Sequence, residues 1–111
     1  MSNELITEAE VERALDFLRD SAKETGVLRG QRYQLVEGRK SIKAVIMSRH
    51  LELPVSAQER EAYADPEYQD YLKGVAVSIE RDEQQRQLVD AASAKISCWQ
   101  TWSKNFRDMK I

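Results

Sequence analysis

The chain has 111 residues, of which 41% are hydrophobic and 32% are charged, and its formal net charge is −2 at pH 7. This length fits one domain, and apolar residues spread along the whole chain exclude a disordered tail. A single cysteine and a single histidine exclude an internal disulfide and a zinc site built from thiolates and imidazoles.

The apolar residues recur with spacings of three and four instead of two, and only two prolines and four glycines occur. Both features predict an all-α fold. The longest apolar run, Ala44 to Met47, is far too short for a membrane span, and the N-terminus lacks the pattern of a secretory signal. We therefore expect one helical domain over residues 1–111, located in the cytoplasm, with no cofactor and no metal.

The first predicted helix covers about residues 8–52. Thr7-Glu8-Ala9-Glu10 matches a capping box at its start. An apolar stripe follows, at Val11, Ala14, Leu15, Leu18 and Ala22. Glycine costs about 1 kcal/mol relative to alanine inside a helix, so a kink is expected between Gly26 and Gly30. The helix should end before Leu53-Pro54, because the residue preceding proline disfavours the helical region.

Two further helices are predicted. Ser56-Ala57-Gln58-Glu59 is a second capping box, which indicates a short helix over about residues 57–64. Asp65-Pro66-Glu67 opens a long helix over about residues 66–108, because Asp65 can cap free amides and Pro66 suits the first helical position. Its predicted seam alternates four and three, at Tyr68, Leu72, Val75, Ile79, Asp82, Arg86, Val89, Ser93 and Ile96.

Charge is distributed in blocks that predict how the helices pair. Residues 1–28 carry a net charge of −4, residues 29–50 carry +5, residues 51–94 carry −6 and residues 95–111 carry +3. If the chain folds back near residue 58, each block meets one of opposite sign. Arg29 and Arg32 would then lie near Glu80, Asp82 and Glu83.

These patterns predict a long antiparallel helical hairpin, similar to a coiled coil, with a short connecting helix at the bend. A hairpin alone buries little apolar surface, so we expect oligomerisation, with a dimer that forms a four-helix bundle as the simplest closure. The alternative is a monomeric three-helix bundle in which the chain turns between Gly26 and Gly30.

A basic stretch gives the first candidate binding site. Arg32, Arg39 and Lys43 share one helical face, and Lys40 lies beside them, so the four could contact the phosphates of DNA. The low net charge and the acidic block opposite favour the alternative, in which these cations neutralise acidic residues of the same chain.

An aromatic cluster gives the second candidate. Trp99, Trp102 and Phe106 are spaced three and four on one helix face, among lysine and arginine residues. Such rings can stack on unpaired bases, but at this spacing they more often anchor a core or an interface, here against Leu15 and Leu18. Catalysis finds little support, because His50 lacks a suitable neighbour in sequence and Cys98 is expected to be a buried, inert thiol.

The elements Arg39-Lys40, Glu59 to Tyr63 and Trp99, in this order, resemble a group of small helical proteins encoded by tailed bacteriophages and prophages. The similarity covers roughly residues 33–107. It implies a setting among early recombination and replication functions, in a host bacterial cytoplasm, and no particular activity. Members of the group commonly carry Trp-Arg where this chain has Trp99-Gln100, which removes one cation from the aromatic cluster.

Three functional hypotheses follow, none with a membrane or a small-molecule substrate. The first is a non-enzymatic phage accessory protein that assists DNA recombination or replication by binding DNA or a DNA-handling protein. The second is an adaptor or inhibitor of a host factor that uses a helical face and contacts no nucleic acid. The third is a structural scaffold within a virion.

Overall fold

The computed structural model describes residues 5–109, and all regular structure in this range is helical. Four α-helices follow one another: α1 Glu8–Asp20, α2 Ala22–Met47, α3 Val55–Ala64 and α4 Pro66–Met109. The predicted all-α helical hairpin is confirmed, whereas its closure as a dimeric bundle stays a prediction. Within these residues, no helix combines the length and the apolar composition that a bilayer span requires.

The described chain divides into two compact units. The terminal unit joins the residues up to Gly26 to those from Gln84 onward, and the central unit is Val27–Glu83. In each unit, part of α4 forms one arm of the hairpin, and helices from earlier in the chain form the other arm.

The terminal unit pairs α1 with the later part of α4. Five of its described residues are buried: Val11, Ala14, Ser21, Gln85 and Ala92. The two helices line a shared groove of about 260 Å³, with Glu10, Arg13, Ala14 and Phe17 from α1 and Leu88, Ala91, Ala92 and Lys95 from α4. The predicted approach of the α1 stripe to the last third of α4 is therefore confirmed for residues 88–95.

The central unit contains the apolar core. Ile46, Ala62 and Tyr68 form a buried cluster from three different helices. Partly buried residues pack against this cluster: Ile42, Met47 and Leu72. The Tyr63 and Tyr68 rings meet edge to face, with centroids 5.6 Å apart, an arrangement that adds to the energy of burial.

Two of the three predicted helix starts are confirmed. The Thr7 hydroxyl accepts a hydrogen bond from the Glu10 amide at 3.2 Å, and Asp65 Oδ1 accepts one from the Glu67 amide at 2.8 Å. The capping box at Ser56 is wrong, because α3 begins at Val55 with Pro54 as its N-cap. Gln58 instead donates through Nε2 to the Leu53 carbonyl at 2.8 Å.

The first helix also differs from the prediction. It breaks at Ser21, and α2 runs without interruption through Gly26 and Gly30. The Ser21 hydroxyl donates to the Phe17 carbonyl at 2.6 Å, a bond that competes with the helix ladder and favours a bend. The helix also ends earlier than the predicted residue 52, at Met47. A 3₁₀ turn, Ser48–His50, follows it and tightens the chain before Leu53-Pro54.

The buried face of α4 is shifted by one residue at three places. Ser78, Gln85 and Ala92 are buried, whereas the predicted seam has the next residue in each case. The predicted positions Tyr68, Val75 and Asp82 are buried as expected. Ser78 can be buried without a polar partner from another helix, because its hydroxyl donates to the Val75 carbonyl of the same helix at 2.7 Å.

Candidate interaction surfaces

Arg32, the first residue of the basic stretch, is held by two carboxylates of α4. Its Nη1 lies 2.9 Å from Asp82 Oδ2 and 2.6 Å from Glu83 Oε1. Hydrogen bonds to Glu83 and Asp82 raise the pKa of the guanidinium above its usual range. The predicted meeting of Arg32 with this acidic segment is confirmed, and it occurs inside the central unit.

Lys43 links α2 to α3. Its Nζ donates to the Tyr63 hydroxyl at 2.9 Å and lies 3.5 Å from Glu59 Oε1. The same ammonium stands 4.6 Å from the centroid of the Tyr63 ring, within range of a cation–π attraction. The hydrogen bond to Tyr63, and then the charge of Glu59, raise the pKa of Lys43, while partial desolvation opposes the rise.

Arg49 forms a third link, which the sequence analysis did not identify. Its Nη1 lies 2.8 Å from Glu67 Oε2, and this hydrogen bond raises the pKa of Arg49. The pair joins the end of the predicted basic block to the first turn of α4. The sequence indicated that residues 29–50 and 51–94 carry opposite net charges, but it did not identify Arg49 and Glu67 as partners.

Arg39 and Lys40 differ from these three cations. Both are exposed, and Arg39 Nε donates only to the Val36 carbonyl of its own helix, at 3.0 Å. Among the described residues, neither has a carboxylate within ion-pair distance. The predicted stripe is therefore divided, because Arg32 and Lys43 serve the fold and Arg39 and Lys40 remain available to a ligand.

The aromatic cluster lies on α4, after the segment that faces α1. Trp102 and Phe106 are stacked with centroids 5.4 Å apart and ring planes 12° from parallel. Trp99 and Trp102 are partly buried, and Phe106 is 44% exposed. The groove shared with α1 extends to Lys95, and Leu15 is 50% exposed. The packing of the aromatic cluster against Leu15 and Leu18 stays a prediction.

Cys98 is exposed, which contradicts the expected buried thiol. It follows the buried Ala92 by six residues, or about 120° around the helix from it. Within the described range, no group of three histidine, cysteine or acidic residues could hold a metal ion.

A groove on α2 is the feature that sequence reasoning missed. It has a volume of about 620 Å³. Its lining consists of Gln31, Gln34, Leu35, Gly38, Ser41, Ile42, Val45 and Tyr71. The Tyr71 hydroxyl donates to the Leu35 carbonyl at 2.7 Å, and a Cβ built on Gly38 would overlap that hydroxyl. The Tyr71 hydroxyl occupies the space that a side chain at Gly38 would need, so only glycine fits at this position.

Comparison with known protein families, with curated proteins and with solved structures finds no match for this chain.

Proposed function

We propose that this protein is a non-enzymatic accessory protein that acts by binding another protein. The stacked pair of Trp102 and Phe106 carries the proposal, because Phe106 is 44% exposed at the surface of α4. Aromatic side chains that can be desolvated by a partner often supply much of the energy of a protein interface. The ion pairs of Arg32 and Lys43 support the same reading, since they remove two cations from the stripe that DNA would need.

The charge around the aromatic pair indicates the chemistry of the partner. Lys95 precedes Trp102 by seven residues and therefore shares its helix face, and Arg107 follows Phe106 directly. Residues 95–111 carry a net charge of +3. An acidic segment with one apolar or aromatic residue would complement this surface, because charge speeds the encounter and the ring contact provides the affinity.

The resemblance to phage proteins suggests where such a partner would be found. In that setting, the partner would be a DNA-handling protein of recombination or replication, and this chain would assist the machinery without contacting DNA. An adaptor or inhibitor of a host factor would use the same surface. The two versions differ in the partner and agree in the residues of this chain.

A display selection from a random peptide library tests the proposal through the chemistry of the peptides that bind. Selection on the wild-type protein should enrich acidic peptides that contain an aromatic or large aliphatic residue. An enriched peptide should bind Phe106→Ala about tenfold more weakly. Met109→Ala is the matched control, because Met109 is an 85% exposed apolar residue on the same helix, and its affinity should not change.

Two results would count against this role for the aromatic pair. One is enrichment of basic or uncharged peptides, since the charge complementarity would then be wrong. The other is an enriched peptide that binds Phe106→Ala as well as it binds the wild type.

Direct DNA contact is the second candidate, and the exposure of Arg39 and Lys40 favours it. Binding of labelled single-stranded DNA can be measured by fluorescence anisotropy. If these two residues contact phosphates, affinity should fall steeply between about 50 mM and about 200 mM salt, and Arg39→Gln with Lys40→Gln should reduce the salt dependence. Lys104→Gln, an exposed cation on α4, is the control. Absence of binding at the lower salt concentration would reject this candidate.

A further inference from the structure

A chain of side-chain hydrogen bonds connects α4 to the break between α1 and α2. Gln85 Nε2 donates to Thr25 Oγ1 at 3.0 Å, and the Thr25 hydroxyl donates to the Ser21 carbonyl at 2.9 Å. The Ser21 hydroxyl in turn donates to the Phe17 carbonyl at 2.6 Å. All four residues belong to the terminal unit, so the chain of bonds begins on α4 and ends in the last turn of α1.

The directions of these bonds show why residue 85 has to be a donor. The Thr25 hydroxyl has one proton, which it gives to Ser21, so its oxygen can only accept from residue 85. The side-chain amide of Gln85 supplies that donor. Gln85 is 8% exposed, and a buried amide without a partner would cost free energy. The bond therefore stabilises Thr25 in the orientation that reaches Ser21.

The break itself has a local component and a component that depends on α4. Ser21 and Thr25 each bond a carbonyl four residues earlier, and such bonds compete with the helix ladder and bend helices. The Ser21 bond lies entirely within the segment that bends. The Thr25 bond, in contrast, is stabilised by Gln85 on another helix, so α4 influences the bend.

The α1 helix can separate from α4 without losing its own terminal contacts. The Thr7 hydroxyl caps its first turn, and the Ser21 amide closes its last turn. Arg19 forms ion pairs with two carboxylates of the same segment. The buried residues of α1 are small, namely Val11 and Ala14. Because burial on this scale contributes little free energy, the hydrogen bonds at the break matter for the position of α1.

We propose that Ser21 is a hinge and that Gln85 is its latch, which holds α1 against residues 88–95 of α4 through Thr25. In the closed state, α1 lies along this segment and lines the groove that the two helices share. When the bond between Gln85 and Thr25 is broken, α1 separates as a unit and uncovers Ala92, which is buried in the closed state. A free helix of 13 residues is marginal in water, so separation exposes the amides of α1 to exchange.

Amide hydrogen exchange on the full chain provides the first test. Thr25→Val keeps the shape of the side chain and removes the hydroxyl, and Gln85→Met keeps the length of the side chain and removes the donor. Each change should accelerate exchange in residues 8–20 by about fivefold to tenfold, the effect of one buried hydrogen bond. Exchange in residues 42–47 and 62–75 should not change, since those residues belong to the central unit.

Two neutral positions serve as matched controls. Thr101→Val and Gln84→Met repeat the same chemical changes at exposed positions of α4, and neither should alter exchange in residues 8–20. Unchanged exchange in both Thr25→Val and Gln85→Met would overturn the proposal. Equal acceleration along the whole chain would also overturn it, because the bond would then stabilise the entire protein and not the position of α1.

The double variant tests whether Thr25 and Gln85 act as one pair. When Thr25→Val is combined with Gln85→Met, exchange in residues 8–20 should increase by less than the product of the two single effects, because both changes remove the same bond. If the two effects multiply, the residues act independently and Gln85 is not a latch.

A distance measurement tests the separation of α1 directly. In a Cys98→Ser background, spin labels are attached at Glu12→Cys on α1 and Asp90→Cys on α4, two exposed positions. Double electron–electron resonance should give one narrow distance distribution for the otherwise unchanged chain, and Thr25→Val should add a population at longer distances. The same narrow distribution in both proteins would show that α1 does not separate as a unit, which would overturn the proposal.

Discussion

At the scale of single residues, the close approach of Gly38 and Tyr71 shows how one glycine can matter where others do not. A Cβ at Gly38 would overlap the Tyr71 hydroxyl, which donates to the Leu35 carbonyl. The same addition at Gly30 meets nothing within 4 Å. Both glycines lie on α2, so alanine substitutions at the two positions separate the effect of local packing on stability from the effect of helix propensity.

Gly38→Ala should therefore destabilise the protein by about 1–3 kcal/mol through overpacking, whereas Gly30→Ala should stabilise it by about 0.5–1 kcal/mol through helix propensity. Urea denaturation measures both free energies of unfolding. Adding Tyr71→Phe to Gly38→Ala should restore part of the loss, because the overlapping hydroxyl is gone. Equal effects of alanine at the two glycines would contradict the proposed close approach.

The ion pairs of Arg32 and Arg49 also differ in how much the fold depends on them. Arg32 faces Asp82, whose side chain is only 12% exposed, and removal of the cation would leave that carboxylate buried without its partner. Arg49 and Glu67 are each nearly half exposed, and such pairs contribute little because water screens them.

Arg32→Gln should consequently lower the thermal unfolding midpoint clearly, and Arg49→Gln should leave it close to that of the wild type. Circular dichroism at 222 nm follows both transitions. Asp82→Asn, combined with Arg32→Gln, should lose less than the sum of the two single changes, because the buried charge is removed together with its partner. The opposite ranking of the two arginine variants would show that the pairing with Asp82 does not stabilise the central unit.

At the scale of helices, the observed helix starts show that Asp65 caps a helix as predicted, whereas Ser56 does not. Asp65→Ala should cost about 1 kcal/mol, because the Glu67 amide at the start of α4 loses its acceptor. Ser56→Ala should change the free energy of unfolding by less than about 0.5 kcal/mol, since α3 begins before Ser56. Urea denaturation measures both changes, and a large cost at Ser56 would imply that α3 starts later than observed.

The same comparison shows what a sequence pattern can predict. Thr7 and Asp65 stand directly before long helical segments, and local geometry alone determines that they cap. At Ser56 the helix has already begun, because α3 starts at Val55 and its N-cap Pro54 makes no side-chain hydrogen bond. The Gln58 side chain donates to the Leu53 carbonyl just before this start, and no spacing rule includes that bond.

The seam of α4 shows a different limit. The predicted heptad has Ile79 because it is apolar, yet the structure buries Ser78 more deeply. A pattern of residue types treats serine as a surface residue, although its hydroxyl can be satisfied within its own helix. The pairing of Arg32 with Asp82 and Glu83 was predictable from charge, whereas the groove at Gly38 depended on the position of Tyr71, 33 residues further along the chain.

At the scale of the whole molecule, the two units differ in what stabilises them. The central unit contains the buried cluster of Ile46, Ala62 and Tyr68 together with three ionic links between its helices. In the described part of the terminal unit, the buried apolar residues are Val11, Ala14 and Ala92, which are small. Segments with fewer buried apolar contacts unfold locally at a lower free energy, so we expect the terminal unit to unfold locally more often than the central unit.

Amide hydrogen exchange should therefore be slowest around residues 42–47 and 62–75 and clearly faster in residues 8–20 and 88–95. Because α4 belongs to both units, its protection should decrease along one continuous helix. Ile46→Ala should abolish the difference, since it removes the one large side chain that is completely buried within residues 5–109. Protection of residues 88–95 equal to that of residues 68–75 would mean that the terminal unit derives its stability from contacts other than its own small core, as a partner bound along that segment of α4 would provide.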